Sequence, residues 1–309
     1  MGALLKIKSL SKSFGPLKAV NNLSFNLDRG EVLGFLGPNG AGKTTTMRML
    51  TGFISPSNGE ILINNYNLLE NLELCRKHIG YVPEGSPLYQ EMNSIDFLKF
   101  AAKIRRINHL NLDKALNRVI DLLNLKSILF QKIDTLSKGY KRRIGLAQAI
   151  IHDPDILILD EPTDGLDPNQ KNEVRKLIRK LGKDKAIIIS THILEEVTAI
   201  CNRAMIIAKG KLLLDEKPRN LLKKSETYNR IFISIEEKKP SELKQILLKN
   251  DFIQAVEIID NCCVIKEKNS KLINKKINDF IKKNKFTINH YSIGNGNLEE
   301  VFRKLTAHD

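Results

Sequence analysis

The order of apolar patterns along the chain predicts an α/β protein. A mainly parallel sheet with helices on both faces is joined by an antiparallel β subdomain and a helical subdomain, and a small ferredoxin-like α+β domain follows. Three observations predict this. Residues 1 to about 65 are β-rich and read as short strands with turns; from residue 139 short apolar strands alternate with helices; and residues 228 to 309 run strand, helix, strand, strand, helix, strand, helix.

The elements follow in order. "LLKIKSL", "AVNNLSFNL", "EVLGFLG" and "GEILINN" read as strands, the last set off by the turn "SPSNGE". Between about 92 and 130 the period becomes helical. Phe97, Phe100, Ala101 and Ile104 fall on one face, and Leu116, Val119, Ile120 and Leu123 on another; the helical subdomain is placed at about 85–150. Then come "RRIGLAQAII", "DILILDEP", "NEVRKLIRKLG", "AIIIST", "ILEEVTAIC" and "RAMIIAKG". Short apolar strands separated by helices indicate a parallel sheet covered on both faces. Beyond "DEKPRNLLKK" the pattern gives strand 228–235, helix 241–249, strands 252–259 and 262–267, helix 270–283, strand 286–292 and a final helix from about 297. The βαββαβ order is that of a ferredoxin-like domain. Its boundaries divide the chain into domains at 1–220 and 221–309.

Length and composition fit this plan. With 309 residues and 42% apolar content, the chain can bury a core in each domain. No run approaches the ~18–20 apolar residues of a membrane-spanning helix, and "MGALLKIKSL" alternates like a strand instead of forming a signal-peptide core. A soluble chain is expected. Cys75, Cys201, Cys262 and Cys263 form no zinc spacing, and the adjacent pair reads as strand packing, as in a reducing compartment. The formal charge of +15 comes from lysines spread along the whole chain, without an arginine-rich tract or an aromatic-interleaved basic stripe. Nucleic acid is not expected as a partner. There is no internal repeat.

The chemistry sits in the larger domain. "GPNGAGKTT", residues 37–45, fits G-x-x-x-x-G-K-[ST] between the strand "EVLGF" and a helical run. Gly37, Gly40 and Gly42 let backbone N–H groups turn inward, and the following helix presents its positive N-terminus to phosphate. Lys43 is expected to reach the β- and γ-phosphates, and the Thr44 hydroxyl to ligate Mg²⁺. Pro38, Asn39, Ala41 and Thr45 complete the expected nucleotide contacts. "ILILDEP" adds Asp160 at the carboxyl end of a buried strand, where it can hold Mg²⁺ through water. Glu161, next to it, is the expected general base.

With "LSKGYKRR" at 136–143, the sequence resembles the ATP-binding cassette (ABC) family, whose signature is LSGGQ-like. Glu84 in "GYVPEGSPLY" then occupies the Q-loop position, "GLDP" (165–168) matches the D-loop with Asp167, and "STH" places His192 at the switch position. Phe14 matches the aromatic that stacks on adenine. The resemblance covers residues 1–220 and implies a P-loop ABC ATPase core binding ATP and Mg²⁺. It also implies a head-to-tail dimer, in which Ser137 and the Gly139 N–H of one cassette reach the γ-phosphate held by the other. His192 is expected to bond that phosphate and to position Glu161. Lys138 and Tyr140 depart from the signature's common Gly and Gln, leaving the serine and the Gly139 backbone in place.

"GYVPEGSPLY", "LSKGYKRR" and "NLEEVFRKLT" together look like the ATPase subunits of bacterial exporters in the drug-resistance and gliding-motility branch. That resemblance implies a separate transmembrane permease subunit seated on residues 80–130, and a chain peripheral on the cytoplasmic face of the membrane. Two other classes stay open: a soluble ABC ATPase, and a nucleotide-dependent regulator that no longer hydrolyses. Glu84, where Gln is usual, points to the second; a carboxylate there also suits Mg²⁺.

Overall fold

The computed structural model describes residues 2–85, 87–267 and 273–307. It has two compact units, one formed by the chain up to Pro218 together with the segment from Leu305, the other by Arg219–Lys304.

The first unit opens on two antiparallel strands, β1 (Leu5–Phe14) and β2 (Leu17–Leu27), then enters β3 (Val32–Leu36) and helix α1 (Lys43–Leu50). Strands β4 (Asn58–Ile63) and β5 (Tyr66–Asn67) return to the first pair in an antiparallel sheet of order β2-β1-β4-β5. Next come α2 (Leu72–Lys77), β6 (Ile79–Val82), α3 (Ser94–Ile104), α4 (His109–Leu122), 3-10 turns at Lys126–Ile128 and Ile133–Thr135, and α5 (Lys138–Ile150). Then follow β7 (Ile156–Asp160), α6 (Pro168–Leu181), β8 (Ala186–Thr191), α7 (Leu194–Ile200), β9 (Arg203–Ala208) and β10 (Lys211–Glu216); α8 (Pro218–Leu222) begins at the last residue of this stretch and runs into the second unit.

The main sheet has the order β10-β9-β3-β8-β7-β6 and is parallel except for β10, which pairs antiparallel with β9. Its central strands are buried on both faces, and their side chains alternate between two cores. Leu33, Phe35, Ile156, Ile158 and Ile188 face a core shared with α1 and the antiparallel sheet. Val32, Leu157, Leu159, Ile187 and Ile189 face a core shared with α3 to α6. Each fully buried Leu or Ile contributes about 1.5–3 kcal/mol relative to exposure, so five-residue strands such as β3 and β7 are held by burial more than by length.

Strands β6 and β10 are additions to the sequence reading. A second correction concerns α3, where the buried set is Ser94, Phe97, Leu98, Ala101 and Ala102, while Phe100 is 37% and Ile104 62% exposed. The i, i+3, i+4 spacing of an apolar helix fits two adjacent stripes, and packing uses only one.

The second unit contains β11 (Ile231–Ile235), α9 (Pro240–Leu248), β12 (Ile253–Ile259), β13 (Cys262–Glu267), α10 (Ile273–Asn284), β14 (Ile288–Ile293) and α11 (Leu298–Ala307). Residues 270–272 of the predicted helix lie outside the described residues. The sheet order β12-β13-β11-β14, antiparallel at every step, is the ferredoxin-like arrangement. The four cysteines are unpaired. Burial pushes the Cys201 thiol up to about 12 and the Cys263 thiol up to about 11, and raises that of Cys75.

Candidate nucleotide site

Strands β3, β8 and β7 are neighbours, and their carboxyl ends deliver the glycine loop, His192 and the Asp160–Glu161 pair to one edge of the sheet. The loop is shaped by sterics. Gly42 has φ 101°, and a Cβ there would lie 2.4 Å from the Ala19 carbonyl oxygen; one on Gly37 would lie 2.6 Å from the Ile207 carbonyl oxygen. Lys43 opens α1 and is 7% exposed. Its Nζ donates to the carbonyls of Gly37 (2.7 Å) and Pro38 (3.2 Å). Burial lowers its pKa, opposed by Glu161, Asp160 and Glu84.

The acids differ in setting. Asp160 ends β7 at 1% exposure; Ser190 on β8 donates to its Oδ1, while Oδ2 is buried without a hydrogen-bond partner. Glu161 turns out of the strand at φ 47°, with its N–H donating to the Ser190 carbonyl at 3.0 Å. Its Oε1 lies 3.0 Å from His192 Nδ1. Burial raises the Glu161 pKa, and the His192 bond, with Lys43 nearby, pulls it back.

A cleft of about 380 Å³ opens at this end of the sheet. Asn39, Gly40, Ala41, Gly42, Lys43, Thr44 and Thr45 line it, with Glu84, Glu161 and His192; Phe14, 49% exposed, forms its apolar rim with Leu17. Gly37, Pro38 and Asp160 lie beside this cleft without lining it, and Ser137, Gly139 and Asp167 do not line it either. Ser137 caps α5, its hydroxyl accepting from Tyr140 N–H at 3.4 Å, and Asp167 caps α6, accepting from Gln170 N–H at 2.9 Å. Gly139 lies against the Gln170 side chain, where a Cβ would be 2.6 Å away. Signature and D-loop thus adjoin each other.

The donor set fits a magnesium ion. An orphaned carboxylate oxygen on Asp160, the Thr44 hydroxyl and the Glu84 carboxylate are oxygen donors of the kind Mg²⁺ takes. Among the described residues no group of three His, Cys, Asp or Glu could hold a metal by itself. The rest of its shell would be phosphate and water.

Several residues escaped the sequence reading. Asp164 lines the cleft. Glu196, 1% exposed on α7, accepts from Thr163 Oγ1 and, at 3.0 Å, from Thr191 Oγ1, tying the loop after Glu161 to the strand before His192. Arg142 on α5 donates to the Glu161 carbonyl at 2.7 Å. One signal was available for Glu196: with Ile193, Val197 and Ile200 it occupies the i, i+3, i+4, i+7 stripe of a helix.

A second cavity, about 1020 Å³, adjoins the same segment. Pro83, beside Glu84, lines it with Phe53, Tyr81, Ile104, Arg105 and Gln148. Arg48, Arg76, Lys77 and Arg106 make it basic, against Glu73. Its His152 is pushed down to about 4, first by burial and then by Arg105, and stays neutral near pH 7.

A strand, a glycine loop and a helix holding a buried lysine, with a carboxylate pair at the end of a nearby strand, define a P-loop nucleotide-binding protein. The ABC transporter family pattern matches residues 20–164. The ABC transporter ATP-binding protein YhcH of Bacillus subtilis (strain 168), whose function is uncharacterized, is 37% identical over 258 residues, 82% of this chain and 81% of the relative. The bacitracin transport ATP-binding protein BcrA of Bacillus licheniformis is 40% identical over 226 residues, 72% of each chain. The fold is shared with the dimeric ATP-binding cassette MJ0796 in a post-hydrolysis state bound to ADP and Pi: TM-score 0.63 at 23% identity, covering 70% of this chain and 99% of that one. The chain belongs to the ABC transporter ATP-binding subunits.

Proposed function

We propose that the chain binds ATP with Mg²⁺ and hydrolyses it as a head-to-tail dimer, coupling the cycle to a separate membrane subunit of an exporter. One observation carries the hydrolytic reading: Glu161 stands at the cleft within 3.0 Å of His192, across from the loop that holds Lys43. Lys43 leaves its loop carbonyls for the β- and γ-phosphates, and the loop N–H groups and the α1 N-terminus face the remaining phosphate charge. Phe14 offers its ring to the adenine. Glu161 accepts a proton from the attacking water, while the imidazole of His192 fixes the carboxylate's direction and the γ-phosphate. Thr44, Glu84 and Asp160 would hold the metal, and Mg²⁺, when bound, would offset the charge of the phosphates against Glu84, Glu161 and Asp164.

Ser137 and Gly139 lie away from their own cleft, which supports a second copy as the source of the capping signature, with Asp167 at the same surface. The basic groove beside Pro83 supports a membrane partner, and no helix among the described residues is long and apolar enough to cross a membrane. The similarity to a bacitracin transport subunit supports the exporter class. Glu161→Gln tests the chemistry: steady-state turnover is expected to fall on the order of 10²–10⁴-fold, and unchanged turnover refutes the assignment. Co-purification with a membrane protein encoded beside this chain tests the coupling separately.

A further inference from the structure

Glu161 has an unusual backbone. At φ 47° it occupies the left-handed region, uncommon for a residue with a Cβ and maintained only where surrounding contacts enforce it. Both of its peptide groups are held. The N–H is bound to β8 through the Ser190 carbonyl, and the carbonyl accepts from Asp164 N–H at 3.2 Å within the turn and from Arg142 Nη2 at 2.7 Å.

The Arg142 bond comes from a different part of the fold. Arg142 lies in the first half of α5, and its guanidinium is buried, the residue being 6% exposed. Its Nη1 approaches the Pro83 carbonyl at 3.5 Å, one residue before Glu84. The carboxylates of Asp164, Glu161, Glu84 and Asp160 all act on its charge. Beyond Arg142 on the same helix, Gly145 and Gln148 line the basic groove; before it, Ser137 caps the helix. A buried charged donor on a backbone carbonyl is a strong, directional bond in a site of low polarity. Any shift of α5 along its axis therefore acts on the Glu161 turn.

We infer that Arg142 is a positioning residue for hydrolysis, holding Glu161 in its left-handed turn from α5 and thereby linking the groove to the cleft. The inference rests on Glu161 being the general base. It assigns to Arg142 no contact with ATP: its effect passes through the main chain of Glu161. One helix then serves both ATP sites of a dimer, its own through Arg142 and its partner's through the signature at its N-terminus.

Steady-state hydrolysis by the full chain with R142Q and R142K tests this, together with each variant's melting temperature and its affinity for ATP with Mg²⁺. R142Q is expected to lose at least about tenfold in kcat while KM and ATP affinity stay within about twofold, and R142K, which keeps the charge and a donor, to recover part of the loss. An R142Q chain that melts and turns over like wild type overturns the inference. So does a loss shared equally by kcat and ATP affinity that lysine does not relieve, and so does failure of both variants to fold, since either makes Arg142 structural. E161Q run in parallel separates the two readings. Wild-type turnover in E161Q removes the base assignment itself; impaired E161Q beside unimpaired R142Q removes only the role of Arg142.

Discussion

Replacing Glu196 by Ala removes a carboxylate on which two buried hydroxyls depend. Thr163 is 1% exposed and Thr191 fully buried, and both donate to Glu196, so the variant leaves two donors without an acceptor in a dry site. Each orphaned buried hydroxyl costs roughly 1–3 kcal/mol. Thr191 Oγ1 also accepts from Ile193 N–H at 3.0 Å and keeps that bond, so a total of about 2–4 kcal/mol is the expectation. In a unit of this size that corresponds to a fall in Tm of roughly 5–15 °C. Glu196→Gln retains one acceptor oxygen, but its amide must face a threonine oxygen already engaged; the expected loss is about 1 kcal/mol. Thermal melting of both variants measures these terms. Hydrolysis assayed well below each Tm then isolates the effect on the loops bearing Glu161 and His192, expected at about tenfold in kcat. A Glu196→Ala chain that melts within about 2 °C of wild type would show that the two hydroxyls find other acceptors, and the reasoning would fall.

Three further outcomes follow from the site. His192 pulls the Glu161 pKa down against the burial that raises it, so His192→Ala leaves that carboxyl protonated to higher pH. Because the base must be ionised, the acid limb of kcat moves upward in pH; a profile of kcat across pH 5.5–8.5 with an unmoved limb refutes this. Gly42→Ala places a Cβ 2.4 Å from the Ala19 carbonyl in a backbone at φ 101°, and equilibrium binding of ATP should weaken by at least about tenfold; wild-type affinity would count against the loop geometry. Glu84→Gln removes one of the negative groups around the cleft, so ATP binding at low Mg²⁺ should improve relative to wild type. Titration of both proteins with the metal decides it, and identical curves would discard the charge argument.

Much of the nucleotide site is legible in the amino-acid sequence. The phosphate loop and the Asp160–Glu161 pair follow from local patterns, because a strand, a turn and a helix in sequence order bring those residues to one sheet edge. What stayed hidden depended on contacts between distant segments. Arg142 stands in sequence between two other bases, Lys141 and Arg143, and only the packing of α5 beside β6 aims it at Glu161. Asp167 is placed by its motif, and its cap on α6 is visible only in the fold. Phe100 and Ile104 matched a buried period equally well as their neighbours, and packing chose the adjacent stripe. Strand β10 adds an antiparallel edge that no alternation with helices announces.

The cysteines carry a consequence for oxidative chemistry. Peroxides and disulfides react with the thiolate, and burial keeps Cys75, Cys201 and Cys263 in the protonated form. None of the four is among the residues lining the nucleotide cleft or the basic groove. Oxidants that act on thiols therefore find no cysteine to modify within the nucleotide cleft or the basic groove.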